Sequence, residues 1–243
     1  YRVQIRGNDE LSDLSGAFNS MAKSLGVLEA SRRSFVANVS HELKTPMTAI
    51  GGFIDGILDG TIPPEKEEYY LKKVSDEVRR LSRLVMTMLN MSKIEAGELK
   101  IKPSKFDISQ RIFQVLIAFE QNIDKKHIEI KGLDSMESVF VEADEDMIHQ
   151  VIYNLVDNAV KFTPENGCIT VSAVTDGDRV FVRIRNSGEG IPSEEVSRIF
   201  ERFYKVDKSR SFDVKGAGLG LYIVKSIIDM HGGQITARSQ RGV

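Results

Sequence analysis

The feature that most constrains this chain is a stripe of apolar residues at Leu11, Leu14, Phe18, Met21, Leu25 and Leu28. Its steps alternate three and four, the seam of a coiled coil or helical bundle. Asn8 or Asp9 would cap the start, with acidic residues in the first turn as the helix dipole prefers. After Arg32 the stripe resumes at Phe35, Val39, Leu43, Pro46 and Ile50 and runs to Ile54 and Ile57. Two successive steps of four mark a stutter, a local unwinding of the supercoil. Asp59-Gly60-Thr61-Ile62-Pro63-Pro64 then ends the helix. A second stripe follows at Val74, Val78, Leu81, Val85 and Met88 and stops near Glu95-Ala96-Gly97. Such a hairpin buries one face only, so a homodimeric four-helix bundle with a second copy is the expected completion.

Past the polar stretch Lys100-Ile101-Lys102-Pro103-Ser104 the grammar changes. Helices are predicted over 109–122, 145–162 and 218–231, and strands over 138–142, 169–174, 180–185 and 234–239. This mixture without a strict β-α-β rhythm predicts an α/β sandwich with helices on one face of a mixed sheet. The 243 residues allow one to two domains, so the chain is expected to be multidomain, an all-α hairpin followed by that sandwich. With 33 Lys and Arg against 35 Asp and Glu, the net charge of −2 argues against a basic nucleic-acid or membrane-surface binder. The single cysteine, Cys168, has no internal partner, and no Cys/His metal spacing is visible. No apolar run approaches the ~18 residues of a membrane span, and no signal peptide is visible. The start at Tyr1 and the stop at Arg241-Gly242-Val243 set the expectation of a piece of a longer protein.

Of the four histidines, His127, His149 and His231 read as surface or satisfied core residues. His41 differs because Val39 and Leu43, two positions away on either side, lie about 200° around the helix. When they pack inward, His41 projects outward, and a neutral imidazole is a good nucleophile near neutral pH. Glu42 beside it suits a general base. Thr45 stands one turn along the same face, where its hydroxyl could hold a water. Pro46 removes the hydrogen bond to the Glu42 carbonyl. Each residue singly also reads as part of a solvated helix face.

Gly216-Ala217-Gly218-Leu219-Gly220 opens an apolar helix, and glycines there let backbone N–H groups approach phosphates. A flexible turn gives the same pattern. Lys205, Lys208, Arg210 and Lys215 just upstream suit a lid over polyphosphate, or a solvated loop. Asn154 and Asn158 share a helix face, with Lys161 one turn on. An amide oxygen suits Mg²⁺ and a lysine suits phosphate, although an amphipathic face reads the same way. Asn186-Ser187-Gly188-Glu189-Gly190-Ile191-Pro192 leaves a strand in a tight turn able to receive a flat base, or to serve merely as a loop.

Together these pieces resemble the cytoplasmic half of a bacterial sensor histidine kinase. Phe35-Val-Ala-Asn-Val-Ser-His-Glu-Leu-Lys-Thr-Pro-Met-Thr-Ala-Ile50 is similar to that family's phosphoacceptor box. The asparagine box (154–162), first glycine box (186–192), phenylalanine box (200–204) and second glycine box (216–220) follow in order. The resemblance implies the end of a HAMP linker over 1–30, a dimerisation and phosphotransfer hairpin over 31–97, a linker over 98–104 and a Bergerat-fold ATP-binding domain over 105–243. The last glycine box is expected to begin near Gly242. His41 would take the γ-phosphoryl group, Glu42 would act as base and Thr45 would orient water for dephosphorylating the partner regulator. Asn158 would coordinate Mg²⁺, Asn154 would complete the polar face, and Lys161 and Lys205 would touch phosphates of ATP. Phe162 would line the adenine pocket, the turn at Gly188 and Gly190 would receive the base, Gly216 would help bind the nucleotide, and Gly218 and Gly220 would shape the lid hinge. The implied partner is a response-regulator receiver domain. Because phosphoryl transfer needs positioning, a swing of the second domain about 97–106 is expected to carry ATP to the fixed His41. The implied location is the cytoplasmic portion of a bacterial inner-membrane receptor. This piece itself would be soluble, touching the membrane only through an N-terminal transmembrane segment that the chain lacks.

Two other functions stand beside the kinase. A phosphatase-biased sensor is suggested by Asn186, where the family usually has an Asp that accepts from the adenine amino group. A hydrolytic ATPase of the same fold would carry a water-activating Glu where this chain has Asn154, and would lack the His41 helix. Asn186 can still accept from adenine, but without charge assistance, a loss on the order of 1 kcal/mol. Asn186→Asp is therefore expected to tighten ATP binding roughly fivefold by titration calorimetry; an unchanged affinity contradicts this.

Overall fold

The computed structural model describes residues 10–206 and 218–240, so Asn8, Asp9, Lys208, Arg210, Lys215, Gly216, Ala217 and Gly242 lie outside the described residues. The chain divides into two compact units, Tyr1–Val85 and Met86–Val243.

Helix α1 (Glu10–Leu58) runs unbroken through Pro46. Helix α2 (Pro64–Glu95) starts on a proline, whose missing N–H costs nothing in a first turn. The turn between them follows from its residues. Gly60 takes a φ of 76°, Asp59 Oδ1 accepts from the Thr61 N–H at 2.9 Å, and the Ile62 N–H reaches back to the Gly56 carbonyl at 2.7 Å. Phe53 of α1 meets Tyr70 of α2, ring centroids 5.2 Å apart. The predicted stripe on α2 is shifted in the fold: Leu84 and Met91 are the buried positions, while Val78 and Val85 stand exposed. On α1, Leu14, Phe18, Met21 and Leu25 are exposed, Leu14 at 66 %. The end of α2 matches its reading, with Gly97 left-handed and the Glu98 and Gly97 N–H groups bonding the Lys93 and Ile94 carbonyls.

In the second unit, β1 (Pro103–Asp107) pairs antiparallel with β3 (Phe140–Asp144). A separate mixed sheet runs β2–β4–β5, where β2 (Glu129–Lys131) lies parallel to β4 (Cys168–Asp176) and β4 antiparallel to β5 (Arg179–Asn186). The inward rows of β4 and β5 pack under α3 (Ile108–Ala118) and α5 (Glu145–Phe162) through a core that includes Ile112, Val115, Ile152, Val156, Ile169 and Val171. Helix α5 also packs along α7 (Gly220–Met230), which buries Ile223, Val224 and Ile227. Short helices α4 (Glu120–Lys125) and α6 (Ser193–Val196) fill the connections.

Three expectations are corrected. The helix over 109–122 is two helices, because Phe119 turns its backbone to φ −102°, ψ 3° and buries its ring. The polar stretch before Phe106 is partly strand, β1 taking up Pro103 and Ser104. No strand forms over 234–239. Ile235 and Ala237 keep the alternating burial of a strand, but no backbone ladder joins them to a neighbour; the Ile191 N–H instead donates to Ser239 Oγ at 2.7 Å.

Candidate functional site

On α1 the His41 side chain is exposed, with Val39 and Leu43 half-buried on the opposite side. Glu42 is turned toward α2, where Arg80 lies 3.9 Å from its carboxylate and 3.4 Å from that of Glu77. Thr45 Oγ1 donates to the His41 carbonyl at 3.2 Å, so at rest the hydroxyl proton is spent on the helix and its lone pairs face outward. Pro46 is buried beside them, and the helix continues through it.

The second cluster is built on α5. Asp144 caps this helix, its Oδ1 accepting from the Met147 N–H at 3.0 Å and its Oδ2 from Lys102 at 2.9 Å. Burial alone would raise the Asp144 carboxyl, but those backbone donors outweigh it and hold it below the usual carboxylate range. With Ile148, Ile152, Val156 and Ala159 turned into the core, Asn154, Asn158 and Lys161 fall within about 60° of arc on the other side. All three are half-buried, whereas Phe162 at the helix end is 52 % exposed, with Lys161 Nζ 5.8 Å from its ring centroid.

Helix α7 begins against those amides. A methyl group on Gly220 would sit 3.6 Å from Asn154 Oδ1 and 3.9 Å from Asn158 Nδ2. Its N-cap is Leu219, which offers no side-chain acceptor, so the first N–H groups of α7 lack a side-chain cap. Gly218, at φ 70°, lies against Phe203 and Tyr204 so closely that a Cβ would come within 2.8 Å of the Phe203 carbonyl carbon, and its own carbonyl accepts from the Phe203 N–H at 2.9 Å. Gly188 is pressed on the other side: a Cβ there would lie 2.9 Å from the Phe162 carbonyl oxygen and 3.1 Å from Asn186 Nδ2. Gly190 takes a φ of 75°. The fold therefore brings Asn154, Asn158 and Gly220 together, and joins Phe162 to Gly188 and Asn186. Lys205 is half-buried just beyond the phenylalanine segment, and Gly216 lies outside the described residues. Among the described residues no cluster of His, Cys, Asp and Glu could hold a metal by itself.

An open cleft of about 530 Å³ lies elsewhere, between the start of α3 and the 133–138 loop. It carries Asp107 and Asp134 and no basic side chain. Such a lining repels polyphosphate, so the cleft does not compete with the glycine-lined site.

Two family models match the chain: the His Kinase A (phospho-acceptor) domain over residues 31–97, and the histidine kinase-, DNA gyrase B- and HSP90-like ATPase over 143–243. The chain belongs to the histidine kinases. It is 35 % identical to the sensor histidine kinase YclK of Bacillus subtilis over 96 % of this chain, and 34 % identical to WalK of the same organism over 88 %. It spans 51 % of YclK and 36 % of WalK. Among solved structures it is similar to the histidine kinase AdeS of Acinetobacter baumannii, with 29 % identity, a TM-score of 0.65, and coverage of 78 % of this chain and 86 % of that one. It is also similar to the histidine kinase ThkA, solved in complex with the response regulator protein TrrA, with 30 % identity, a TM-score of 0.64, and coverage of 93 % and 62 %. Among the described residues no helix is long and apolar enough to cross a membrane.

Several residues that hold this candidate site together escape sequence reasoning. His231 ends α7 and accepts the Asp144 N–H on Nε2 at 3.1 Å while Nδ1 faces the Ile227 carbonyl at 2.8 Å, which assigns the proton to Nδ1. It thus ties the end of α7 to the cap of α5. Arg202 spans from the phenylalanine segment to α7, donating to Tyr222 Oη at 2.8 Å. Lys126 donates to three carbonyls at the end of α5. The sequence signal for Arg202 is its place inside the phenylalanine box; Tyr222, His231 and Lys126 carry none.

Gly218, just before α7, and Gly220, its first residue, differ in a way that thermal unfolding reads. Gly218→Ala combines a left-handed backbone with a backbone clash and should lower Tm by several degrees, as a loss of about 2 kcal/mol does. Gly220→Ala meets ordinary van der Waals distances and should unfold within about a degree of wild type. Equal losses would contradict the geometry.

Proposed function

We propose that the chain is the kinase core of a sensor: it autophosphorylates His41 from ATP and passes the phosphoryl group to an aspartate of a response-regulator receiver domain. The observation that carries this reading is the pairing, in one chain, of an exposed histidine on a continuous helix with a glycine-gated cluster of amides and lysines. YclK and WalK bear the name sensor histidine kinase, and ThkA was solved with a response regulator, which supports both the activity and the partner.

Phosphoryl transfer needs positioning and charge neutralisation more than covalent help from the protein. In the proposed step a ring nitrogen of His41 attacks the γ-phosphorus of ATP, the bond to the β,γ-bridging oxygen breaks, and ADP leaves. The proton displaced from the imidazole goes to Glu42, which must turn from Arg80 to accept it. Lys161 and Lys205 would neutralise phosphate charge, the uncapped N–H groups of α7 would bond phosphate oxygens, and Asn186 would accept from the adenine amino group with Phe162 and the turn at Gly188 and Gly190 beside the ring. The Asn154 amide oxygen borders the space a Gly220 methyl would take, with the Asn158 amide beside it, and amide oxygens fit a hard divalent cation. Asn158 would hold Mg²⁺, whose contribution when bound is to neutralise charge on the polyphosphate.

The domains proposed with this reading would be a signalling-helix segment over 1–30 from the end of a HAMP linker, the phosphotransfer hairpin over 31–97, a linker over 98–104 and the ATP-binding domain over 105–243. The exposed apolar residues Leu14, Phe18, Met21 and Leu25 on α1, with Val78 and Val85 on α2, are too many for a lone hairpin in water and fit a homodimer. A phosphatase role toward the regulator rests on Thr45, whose hydroxyl lone pairs remain available for a water. Asn186 favours a balance tilted toward that role.

Incubation with γ-labelled ATP tests the proposal. Acid-labile, alkali-stable label should appear on the wild type and vanish in His41→Gln. Label retained by His41→Gln, or release of free phosphate with no labelled protein, would overturn it, the latter in favour of a hydrolytic ATPase.

A further inference from the structure

The end of a helix leaves its last four carbonyls without intrahelical partners. On α5 those carbonyls lie beside the residues assigned to the nucleotide, and their partners can be accounted for one by one. The Ala159 carbonyl accepts the Thr163 N–H at 3.0 Å and its hydroxyl at 2.6 Å. The carbonyls of Val160, Lys161 and Thr163 all accept from Lys126 Nζ, at 2.8, 3.0 and 2.9 Å. The Phe162 carbonyl points the other way, against Gly188.

An ammonium has three protons, and here each finds a carbonyl. The charge also faces the negative end of the helix dipole. The platform under it is held as firmly. Lys126 is the C-cap of α4, followed by His127 in the left-handed region at φ 51°. The His127 and Ile128 N–H groups close on the Asp124 and Ile123 carbonyls at 3.0 Å each, a helix-ending motif usually built on glycine. The carbonyl of Lys126 in turn accepts from the Asn166 N–H at 2.8 Å, beyond the end of α5. One residue therefore grips the 160–166 segment at both its ends.

We propose that Lys126 is a positioning residue of the nucleotide site. By fixing the carbonyls on both sides of Phe162, it sets where the Phe162 ring and the Lys161 ammonium stand relative to Gly188 and Asn186, and so sets ATP affinity. This rests on the reading of the asparagine helix as part of an ATP site.

The test uses the full chain. Lys126→Met keeps the aliphatic stem and removes the three donors. It should raise the Kd for a non-hydrolysable ATP analogue with Mg²⁺ about tenfold by calorimetry, and raise the KM for ATP in autophosphorylation to match while kcat moves less than about twofold. A fall in Tm with Kd and KM at wild-type values means a helix cap and nothing more, and overturns the proposal. If Lys126→Met does not fold, Lys126→Arg decides, since its planar fork keeps the charge but cannot converge on three carbonyls: weakened binding supports the proposal and wild-type affinity overturns it. Asn158→Ala is the reference. Where it weakens binding and the Lys126 variants do not, the positioning idea alone fails. Where it too binds as wild type, the ATP-site reading has failed and the proposal with it.

Discussion

Helix α5 has to satisfy two demands at once, and the second unit is arranged around that compromise. One side of the helix buries Ile148, Ile152, Val156 and Ala159 over the mixed sheet and against α3. The other side carries the amides of Asn154 and Asn158 and the Lys161 ammonium, all half-buried. Burying the first side contributes on the order of 2 kcal/mol per large side chain, enough to hold the polar side in a fixed register. Both ends of the helix are fastened separately, by Asp144 at the start and by Lys126 and Thr163 at the finish.

The elements most legible in the sequence are those whose signal is local. The extent of α5 follows from its apolar period, and β5 from strict alternation through Val180, Val182 and Ile184. The missed strand β1 has no such alternation, since it pairs only with β3 and exposes Pro103, Ser104 and Lys105. The break at Phe119 was hidden because its ring suits a helix interior as well as the corner it fills. Residues 234–239 show the converse error: alternation predicts which side is buried, but a strand needs a partner edge.

The candidate site divides in the same way. Glycine and asparagine positions were legible because phosphate and base chemistry demands those residue types. What holds them was not. Lys126 lies 34 to 37 positions from the carbonyls it binds, and His231 lies 87 from Asp144. No periodicity encodes such pairs. The hairpin repeats the lesson at Thr45, legible as a polar residue on the His41 face, whose bond to the His41 carbonyl depends on the rotamer it takes.

The central claim is that α5 and the start of α7 together receive the nucleotide. Backbone hydrogen exchange of the second unit, measured with and without a non-hydrolysable ATP analogue and Mg²⁺, tests it most directly. The account predicts added protection over 154–163 and 218–222, with the acidic cleft around Asp107, Asp134 and Ser138 unchanged. Protection confined to that cleft, or none over the asparagine helix at saturating analogue, would contradict it.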